Sequence, residues 1–245
     1  MAKIKKRLDI LVQELMPDSD SKQIQSWIMQ GKVFVDDVVV IKPGTQVCIE
    51  AKIVCTVQEP RYVSRAGFKL ERALDHFNID VKNLVVLDAG ISTGGFTDCL
   101  FQRGASKVYG VDVGYGDVHH RIRNDERLVL LEKTNLRLLE TVGEPVDLIT
   151  LDLSFISVLS VMPTVITILK KQGQLIVLIK PQFEAGKHEI GVGGIVRDEK
   201  IRDAIVATVV AGIERYGFTS IGTIDSPIVG AKGNKEFLAY FKRNG

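Results

Sequence analysis

Hydrophobic and polar residues follow one another in two distinct patterns, and the pattern changes about a third of the way along the chain. In the first part, apolar residues recur at helical spacing over 7–15 and 21–30, which predicts two short amphipathic helices. Segment 32–50 then alternates short apolar runs with the acidic pair Asp36-Asp37 and with a Pro-Gly turn. The first part therefore predicts a small α+β domain.

In the second part, strongly apolar runs alternate with amphipathic segments. Runs rich in Val, Ile and Leu are typical of parallel strands covered on both faces, and the amphipathic segments predict the covering helices, one of them over 157–171. The runs that predict seven strands are 84–89, 107–113, 128–134, 146–153, 174–180, 218–227 and 235–243. The last two are expected to pair antiparallel, an arrangement typical of α/β, Rossmann-like methyltransferases.

Composition narrows the function classes. The chain has 245 residues, 45% of them hydrophobic and 25% charged, as in ordinary globular proteins. Its longest apolar runs are strand-sized, well short of the ~20 residues of a membrane span, and its basic start lacks the apolar stretch of a secretory signal. Three cysteines at no metal-binding spacing fit a reducing compartment. We therefore expect a cytoplasmic protein without a metal site.

The net charge of +2 argues against a nucleic-acid ligand, but the basic residues are unevenly spread. Several lie within the first seven positions, and segment 61–72 holds four basic side chains and one acidic one. Clustered charge of this kind can neutralise phosphates, whereas the alternative interpretation is a solvated helix face. The candidate nucleic-acid contacts are Lys5, Lys6, Arg7, Lys22, Arg61 and Arg65.

A glycine-rich loop follows the first strand of the second part. Segment 88–98 reads DAGISTGGFTD and stands between a strand and an amphipathic helix, so backbone N–H groups can approach a ligand without a side chain in the way. The next strand ends at Asp112, where Rossmann-type folds hold ribose hydroxyls. Taken alone, a glycine turn and an aspartate are also ordinary turn chemistry.

Four charged residues fall at the ends of separate elements. Asp152 ends the fourth strand and Lys180 ends the fifth, so both are expected at the crevice of an open α/β sheet. Lys69 lies at the start of a helix, and Glu236 starts the last strand. Desolvation at a strand end favours a neutral lysine that can act as a general base, whereas a close carboxylate would do the opposite. Individually, these residues are equally well explained as a helix cap or surface charges.

Together, these four residues form the Lys-Asp-Lys-Glu set of ribose 2′-O-methyltransferases of the FtsJ class, and the chain resembles the hemolysin A/TlyA family of ribosomal RNA methyltransferases. The segments that carry the resemblance are RLD (7–9), GKVFVDDVVVIKPG (31–44), YVSRAGFKL (62–70), DAGISTGGFTD (88–98), GVDVGYG (110–116), LDLSFIS (151–157), IKPQFE (179–184) and GNKEF (233–237). They stand in order over nearly the whole chain.

The resemblance implies an S4 RNA-binding domain at 1–60, a basic linker with the first helix at 61–80, and an FtsJ-like S-adenosylmethionine (SAM) methyltransferase domain at 81–245. The implied activity is cytidine 2′-O-methylation of ribosomal RNA. The implied partner is ribosomal RNA or a ribosomal subunit, and no membrane partner is implied. The implied catalytic residues are Lys69, Asp152, Lys180 and Glu236, with Lys180 taking the hydroxyl proton. The implied SAM contacts are Asp88, Gly90, Ser92, Thr93, Gly94 and Asp112.

Two segments depart from the family pattern. The S4 helix usually carries a Ser-Arg pair where this chain reads SDSK (19–22), and the S4 turn usually reads Asn-Gly where Asp36-Asp37 stands. Both changes lower the positive charge on the expected RNA face.

Other functions remain open at this point. A membrane-active hemolysin lacks support because there is no apolar span and no long cationic helix. An RNA-binding protein without methyltransferase activity, or another S4-bearing RNA enzyme, would leave the glycine loop and the four charged residues unexplained. A methyltransferase of small molecules or proteins would leave the basic clusters unexplained. Liposome leakage and SAM calorimetry would separate these alternatives.

Overall fold

A computed structural model describes residues 4–17, 19–57, 60–186, 189–191 and 193–245. The chain divides into two units, Met1–Arg61 and Tyr62–Gly245. Segment 61–80, expected as a linker with the first helix, contributes its helix to the second unit.

The first unit combines two helices with short strands. Its elements are β1 (Lys5–Arg7), α1 (Leu8–Leu15), α2 (Ser21–Met29), β2 (Val33–Val35), β3 (Val38–Val39), β4 (Gln46–Cys48) and β5 (Ile53–Cys55). β1 pairs antiparallel with β4, and β2 lies between β3 and β5. The apolar faces of both helices meet in one core, in which Leu8 and Ile28 are fully buried and Trp27 is 8% exposed.

The basic residues near the start of the chain lie on β1 and not at the beginning of the first helix. Lys5, Lys6 and Arg7 pair with residues of β4, and the helix begins only at Leu8. All three basic side chains are exposed, as a phosphate contact requires.

The second unit is built around a single large sheet. Its strands are β6 (Val85–Ala89), β7 (Lys107–Val111), β8 (Leu128–Leu131), β9 (Val146–Leu151), β10 (Leu169–Ile179), β11 (Phe218–Asp225) and β12 (Phe237–Arg243). Its helices are α3 (Ala66–His76), α4 (Gly95–Gln102), α5 (His120–Arg123), α6 (Met162–Ile168), α7 (Pro181–Glu184) and α8 (Glu199–Glu214), with 3₁₀ turns at Leu136–Leu138, Val158–Val161 and Ala231–Gly233.

The order of the strands across the sheet is β11-β12-β10-β9-β6-β7-β8. β6 to β10 pair in parallel, whereas β12 is antiparallel to both β10 and β11. The predicted α/β fold, with seven strands in a mostly parallel sheet, is therefore confirmed within the described residues. Since β12 runs against its neighbours, its first residue lies at the edge where the parallel strands end.

Apolar side chains cover both faces of this sheet. Along β6, Leu87 and Ala89 belong to one buried cluster and Val86 to the other, as the alternation of side chains along a strand requires. Both clusters consist of fully or nearly fully buried residues, and burial of this kind contributes roughly 25 cal/mol per Å² of apolar surface. The sheet therefore gives the residues at its strand ends a rigid support.

One helix is shorter in the structure than its sequence pattern predicts. The pattern predicts a helix over 157–171, but α6 ends at Ile168 and Leu169 already belongs to β10. Leu169 pairs with Val146 of β9, and the register then shifts before Gln174. Long-range strand pairing thus overrides the local helical period.

No helix in the described ranges is long and apolar enough to cross a bilayer. The same residues contain no group of three or more His, Cys, Asp and Glu side chains that could hold a metal ion. Cys48 and Cys55 lie on strands and Cys99 is buried on α4, all as free thiols.

Candidate active site

The candidate site lies where the direction of strand addition reverses. β6 and β9 are neighbours, and the strands next to them, β7 and β10, extend the sheet in opposite directions. In open α/β sheets, ligands bind in the crevice that this reversal opens at the carboxyl ends of the strands. Gly90 directly follows β6 and Asp152 directly follows β9, so both lie in that crevice.

Only glycine fits at position 90. Its φ is +85°, and a Cβ there would lie 2.5 Å from the backbone oxygen of Asp152. The two loops can therefore approach each other only because position 90 has no side chain.

Asp112, at the end of β7, holds the glycine loop in shape. Its Oδ2 accepts a hydrogen bond from the Ser92 N–H at 2.9 Å, and its Oδ1 accepts one from the Gly114 N–H at 2.8 Å. Ser92 itself has a φ of +49°. Each carboxylate oxygen keeps a further lone pair, so Asp112 can still accept hydrogen bonds from ribose hydroxyls.

Two cavities meet at this loop. The first, of about 320 Å³, lies between the ends of β7 and β9, and its walls include Asp112, Asn135, Leu136 and Ile156. The second, of about 230 Å³, lies between the loop and α3, and its walls include Ser64, Arg65, Lys69 and Thr93. Gly90, Ser92 and Asp152 line both cavities, so a single elongated ligand could occupy the two together.

Asp88 and Gly94, expected among the cofactor contacts, line neither of these cavities. Gly94 lies at the start of α4 with a φ of +94°. Asp88 is fully buried beneath the loop, where its oxygens accept hydrogen bonds from Thr97 Oγ1 at 2.7 Å and Thr150 Oγ1 at 2.9 Å. As placed, Asp88 ties α4 and β9 to the end of β6 and offers no surface to a ligand.

Burial raises the pKa of Asp88 to about 6, although the threonine hydrogen bonds oppose the shift. Between about pH 4 and 6 the Asp88 carboxyl group holds a proton more tightly in the folded protein than in the unfolded chain. The contribution of Asp88 to the stability of the folded state therefore falls as the pH rises. At about 1.4 kcal/mol per pK unit, ionised Asp88 costs the folded state about 3 kcal/mol above pH 6.

Replacing Asp88 by asparagine should remove this cost, because the uncharged amide oxygen can accept from one threonine hydroxyl and the amide nitrogen can donate to the other. The difference in unfolding free energy between the Asp88→Asn variant and the native protein is expected to shift by about 3 kcal/mol in favour of the variant as the pH rises from 4 to 8. Urea denaturation of both proteins at the two pH values measures the change. A difference that is the same at both would contradict a raised pKa at Asp88.

The four charged residues of the predicted catalytic set form two ion pairs. Lys69 Nζ lies 2.5 Å from Glu236 Oε2, and Lys180 Nζ lies 2.6 Å from Asp152 Oδ1. Lys69 and Lys180 are each 9% exposed and Glu236 is 4% exposed. Lys69 and Asp152 line the same cavity, so the two pairs meet around one space.

Four separate elements deliver these side chains to the crevice. Lys69 comes from the buried face of α3, Asp152 and Lys180 follow parallel strands, and Glu236 immediately precedes β12. The reversed direction of β12 is what brings Glu236 to the same edge as Asp152 and Lys180.

Lys180 has a second polar partner that sequence reasoning missed. Its Nζ donates a hydrogen bond to Ser154 Oγ at 2.9 Å. A carboxylate at 2.6 Å and a hydroxyl acceptor are partners for a protonated amine, so the resting state differs from the neutral lysine that desolvation alone favours. Lys180 must therefore lose its proton before it can accept another.

The loops after β9 and β10 are joined by two more contacts. Glu184 Oε1 accepts a hydrogen bond from the Val158 N–H at 2.8 Å, and burial raises the pKa of this carboxyl group. The Phe155 ring packs on Phe183 with 5.0 Å between centroids. These contacts hold Asp152 and Lys180 in register with each other.

Phe155 is the most unusual side chain near the site. It is 86% exposed and has a φ of +67°, a backbone conformation that costs a non-glycine residue free energy. The aromatic residue itself stands in the LDLSFIS segment, but neither its strained backbone nor its exposure could be inferred from the sequence.

The candidate nucleic-acid contacts have different surroundings. Lys6 pairs with Glu14 at 2.8 Å and Arg7 with Asp9 at 2.7 Å, whereas Lys5 and Lys22 have no ion-pair partner in the described part of the chain. Arg61 is exposed at the end of the first unit. Arg65 lies in the second unit, in the wall of the 230 Å³ cavity.

Comparison with family models divides the chain as the structure does. A model described as FtsJ-like methyltransferase matches residues 62–243, and one described as S4 domain matches residues 6–53. The first match contains both ion pairs and the glycine loop, and the second contains α1, α2 and the strands from β2 to β4.

Individual proteins resemble the chain over most of its length. The 16S/23S rRNA (cytidine-2′-O)-methyltransferase TlyA of Mycobacterium tuberculosis is 42% identical over 90% of this chain and 84% of its own. Hemolysin A of Brachyspira hyodysenteriae is 40% identical over 96% of this chain and 99% of its own. A solved chain from Streptococcus thermophilus that carries the name hemolysin is 38% identical, with a TM-score of 0.74 over 99% of this chain and 90% of its own.

Proposed function

The chain belongs to the hemolysin A/TlyA family, with an S4 domain followed by an FtsJ-like methyltransferase domain. On that basis we propose that it transfers a methyl group from SAM to the ribose 2′-hydroxyl of a cytidine in ribosomal RNA. The observation that carries the proposal is the presence of two lysine–carboxylate ion pairs at the crevice where the direction of strand addition reverses. Methyl transfer to a hydroxyl needs a group that takes or directs the hydroxyl proton, and this arrangement supplies it.

The residues at the crevice fit SAM. The two cavities share Gly90, Ser92 and Asp152 in their walls, and together they form an elongated space. Asp112 and Asn135 offer hydrogen-bond acceptors next to the apolar side chains of Leu136 and Ile156, which suits a nucleoside. When bound, SAM supplies a methyl group on a positively charged sulfur.

Lys180 is the residue that we place against the reacting hydroxyl. In the resting protein its ammonium group is shared between Asp152 and Ser154, and the exposed Ser154 hydroxyl can pass a proton to solvent. Once neutral, Nζ would accept the proton of the 2′-hydroxyl, while SAM, when bound, would supply its methyl group to that oxygen and leave as the neutral thioether. Asp152 then stabilises the ammonium group that forms.

Lys69 is proposed to position the ribose or its neighbouring phosphate. Lys69 lines the cavity that Asp152 also lines, and the buried Glu236 holds its Nζ in place. A fixed cation at this position would orient the nucleotide for attack, which is a contribution of proximity and not of proton transfer.

The substrate side of the proposal rests on charge and on an aromatic ring. Exposed basic residues on β1 and α2 can neutralise phosphates, and the exposed Phe155 ring at the rim of the site can stack on an unpaired base. From ribosomal RNA as the proposed substrate, we infer that the protein acts in the cytoplasm.

Methylation of ribosomal subunits tests the function directly. Subunits from cells lacking the gene would be incubated with the full-length protein and methyl-labelled SAM, and the RNA would be digested to nucleosides. We expect label in 2′-O-methylcytidine, and none with an Asp152→Ala variant. Label in a base, or no transfer by the native protein to either subunit, would refute the proposal.

A further inference from the structure

The sheet of the second unit ends in a long edge strand. β11 is the last strand in the order of the sheet, so the outer side of its backbone pairs with no other strand in the described structure. Edge strands are commonly blocked by lysine, by proline or by being very short. β11 has eight residues, contains neither lysine nor proline, and carries a single charged side chain, Asp225, at its end. Ile221, where its register against β12 shifts, is 48% exposed. This edge is therefore open to a further chain.

A groove lies between this edge and α8, the helix that packs on β11. It has a volume of about 430 Å³ and is lined mainly by apolar side chains: Val206, Ala207, Val210, Ile224 and Phe237, together with Asp203, Thr223 and Asp225. The aliphatic members are only partly buried or exposed. The helix and the edge strand thus form one continuous face with an apolar centre.

The exposed side of α8 carries opposite charges at its two ends. Lys200 and Glu214 lie seven residues to either side of Ala207, which is about two turns of helix, so the three side chains are on one face. All three are exposed, and neither charged group has an ion-pair partner within the described residues. If two copies of α8 cross antiparallel at Ala207, Lys200 of each copy lies opposite Glu214 of the other. The face is therefore complementary in charge to itself, as an interface on a two-fold axis requires.

The size of the face shows that helix and strand must both take part. α8 has 16 residues and is about 24 Å long, and a helix is about 10 Å wide, so its side alone covers roughly 240 Å². A stable interface buries about 800 Å² on each partner. The groove and the edge of β11, which is roughly 26 Å long, are needed to approach that area.

We propose that α8 and β11 form the interface of a homodimer. The two copies are related by a two-fold axis, the β11 edges lie side by side, and the α8 helices cross at Ala207. The contact between Lys200 and Glu214 then occurs twice, once on each side of the axis. The proposal is independent of the proposed function, because neither element contributes a residue to the cavities or ion pairs of the candidate active site.

Analytical ultracentrifugation of the full-length protein at micromolar concentrations tests the interface. The native protein should sediment with the mass of two chains. Ala207→Arg places a bulky charge at the crossing point and should give a monomer. Lys200→Glu turns both contacts between the copies into repulsions and should weaken the dimer about 100-fold. Lys200→Glu combined with Glu214→Lys restores opposite charges and should recover the dimer.

The matched control is Lys82→Glu, the same charge reversal at an exposed residue between α3 and β6. It should sediment like the native protein. Circular dichroism checks the fold of each variant, and Lys200→Glu decides the question alone if Ala207→Arg does not fold. A native protein that stays monomeric would overturn the proposal and leave the face to a different partner. A dimer that survives Lys200→Glu, or that the double variant fails to recover, would overturn it as well.

Discussion

Replacement of Lys180 by alanine is expected to abolish methyl transfer while SAM still binds. Loss of a positioned proton acceptor costs about 10²- to 10⁴-fold in rate, and here the ion pair with Asp152 is lost as well. SAM affinity should be close to native because Lys180 is not among the residues that line either cavity. Single-turnover transfer to ribosomal RNA and calorimetry with SAM measure the two properties separately.

Two further variants decide which property of Lys180 matters. Lys180→Arg keeps a positive charge next to Asp152 but cannot give up its proton near neutral pH. An inactive arginine variant supports proton transfer, whereas substantial activity would reduce Lys180 to an electrostatic role. Lys170→Ala is the matched control, because Lys170 pairs with Asp147 at the same 2.6 Å away from the crevice. Native activity in Lys180→Ala itself would eliminate the residue from the mechanism.

Breaking the pair between Lys69 and Glu236 is expected to reduce both stability and activity. Removal of one partner of a buried ion pair leaves an uncompensated charge and typically costs about 3–5 kcal/mol. Both side chains are nearly fully buried, so the Glu236→Ala variant should lose unfolding free energy in this range and should transfer no methyl group. Urea denaturation and the transfer assay measure the two losses.

A double substitution separates the two effects. In Lys69→Met combined with Glu236→Leu, both charges are replaced by apolar groups of similar size, and such replacements are often neutral or stabilising. The double variant should therefore regain most of the lost stability but none of the activity. Recovery of methyl transfer together with stability would show that the pair has only a structural role.

The fold could be predicted because its signals are local. Most strands of the second unit contain a short apolar run, and most helices between them have an apolar face, so the α/β class follows from the pattern alone. The end of α6 could not be predicted, because Leu169 leaves the helix to pair with Val146 of a distant strand. The same holds for β1, which exists only through its pairing with β4.

The site was predictable in its members but not in its contacts. The sequence pattern places Lys69, Asp152, Lys180 and Glu236 at element ends, but which lysine pairs with which carboxylate depends on strand order. Desolvation suggests a neutral Lys180, whereas Asp152 at 2.6 Å and Ser154 at 2.9 Å surround a protonated one. Distances of this kind follow from tertiary packing, to which neighbours along the chain contribute little.

The ion pair between Lys69 of α3 and Glu236, the residue before β12, also determines at which stage of folding the protein can become active. Its two residues are 167 positions apart, so the contact can form only after nearly the whole second unit has been synthesised and the long loop between them has closed. β12 must insert between β10 and β11, both of which precede it in the chain. A chain in which this interior strand is not yet in place therefore lacks a complete set of the proposed reacting groups.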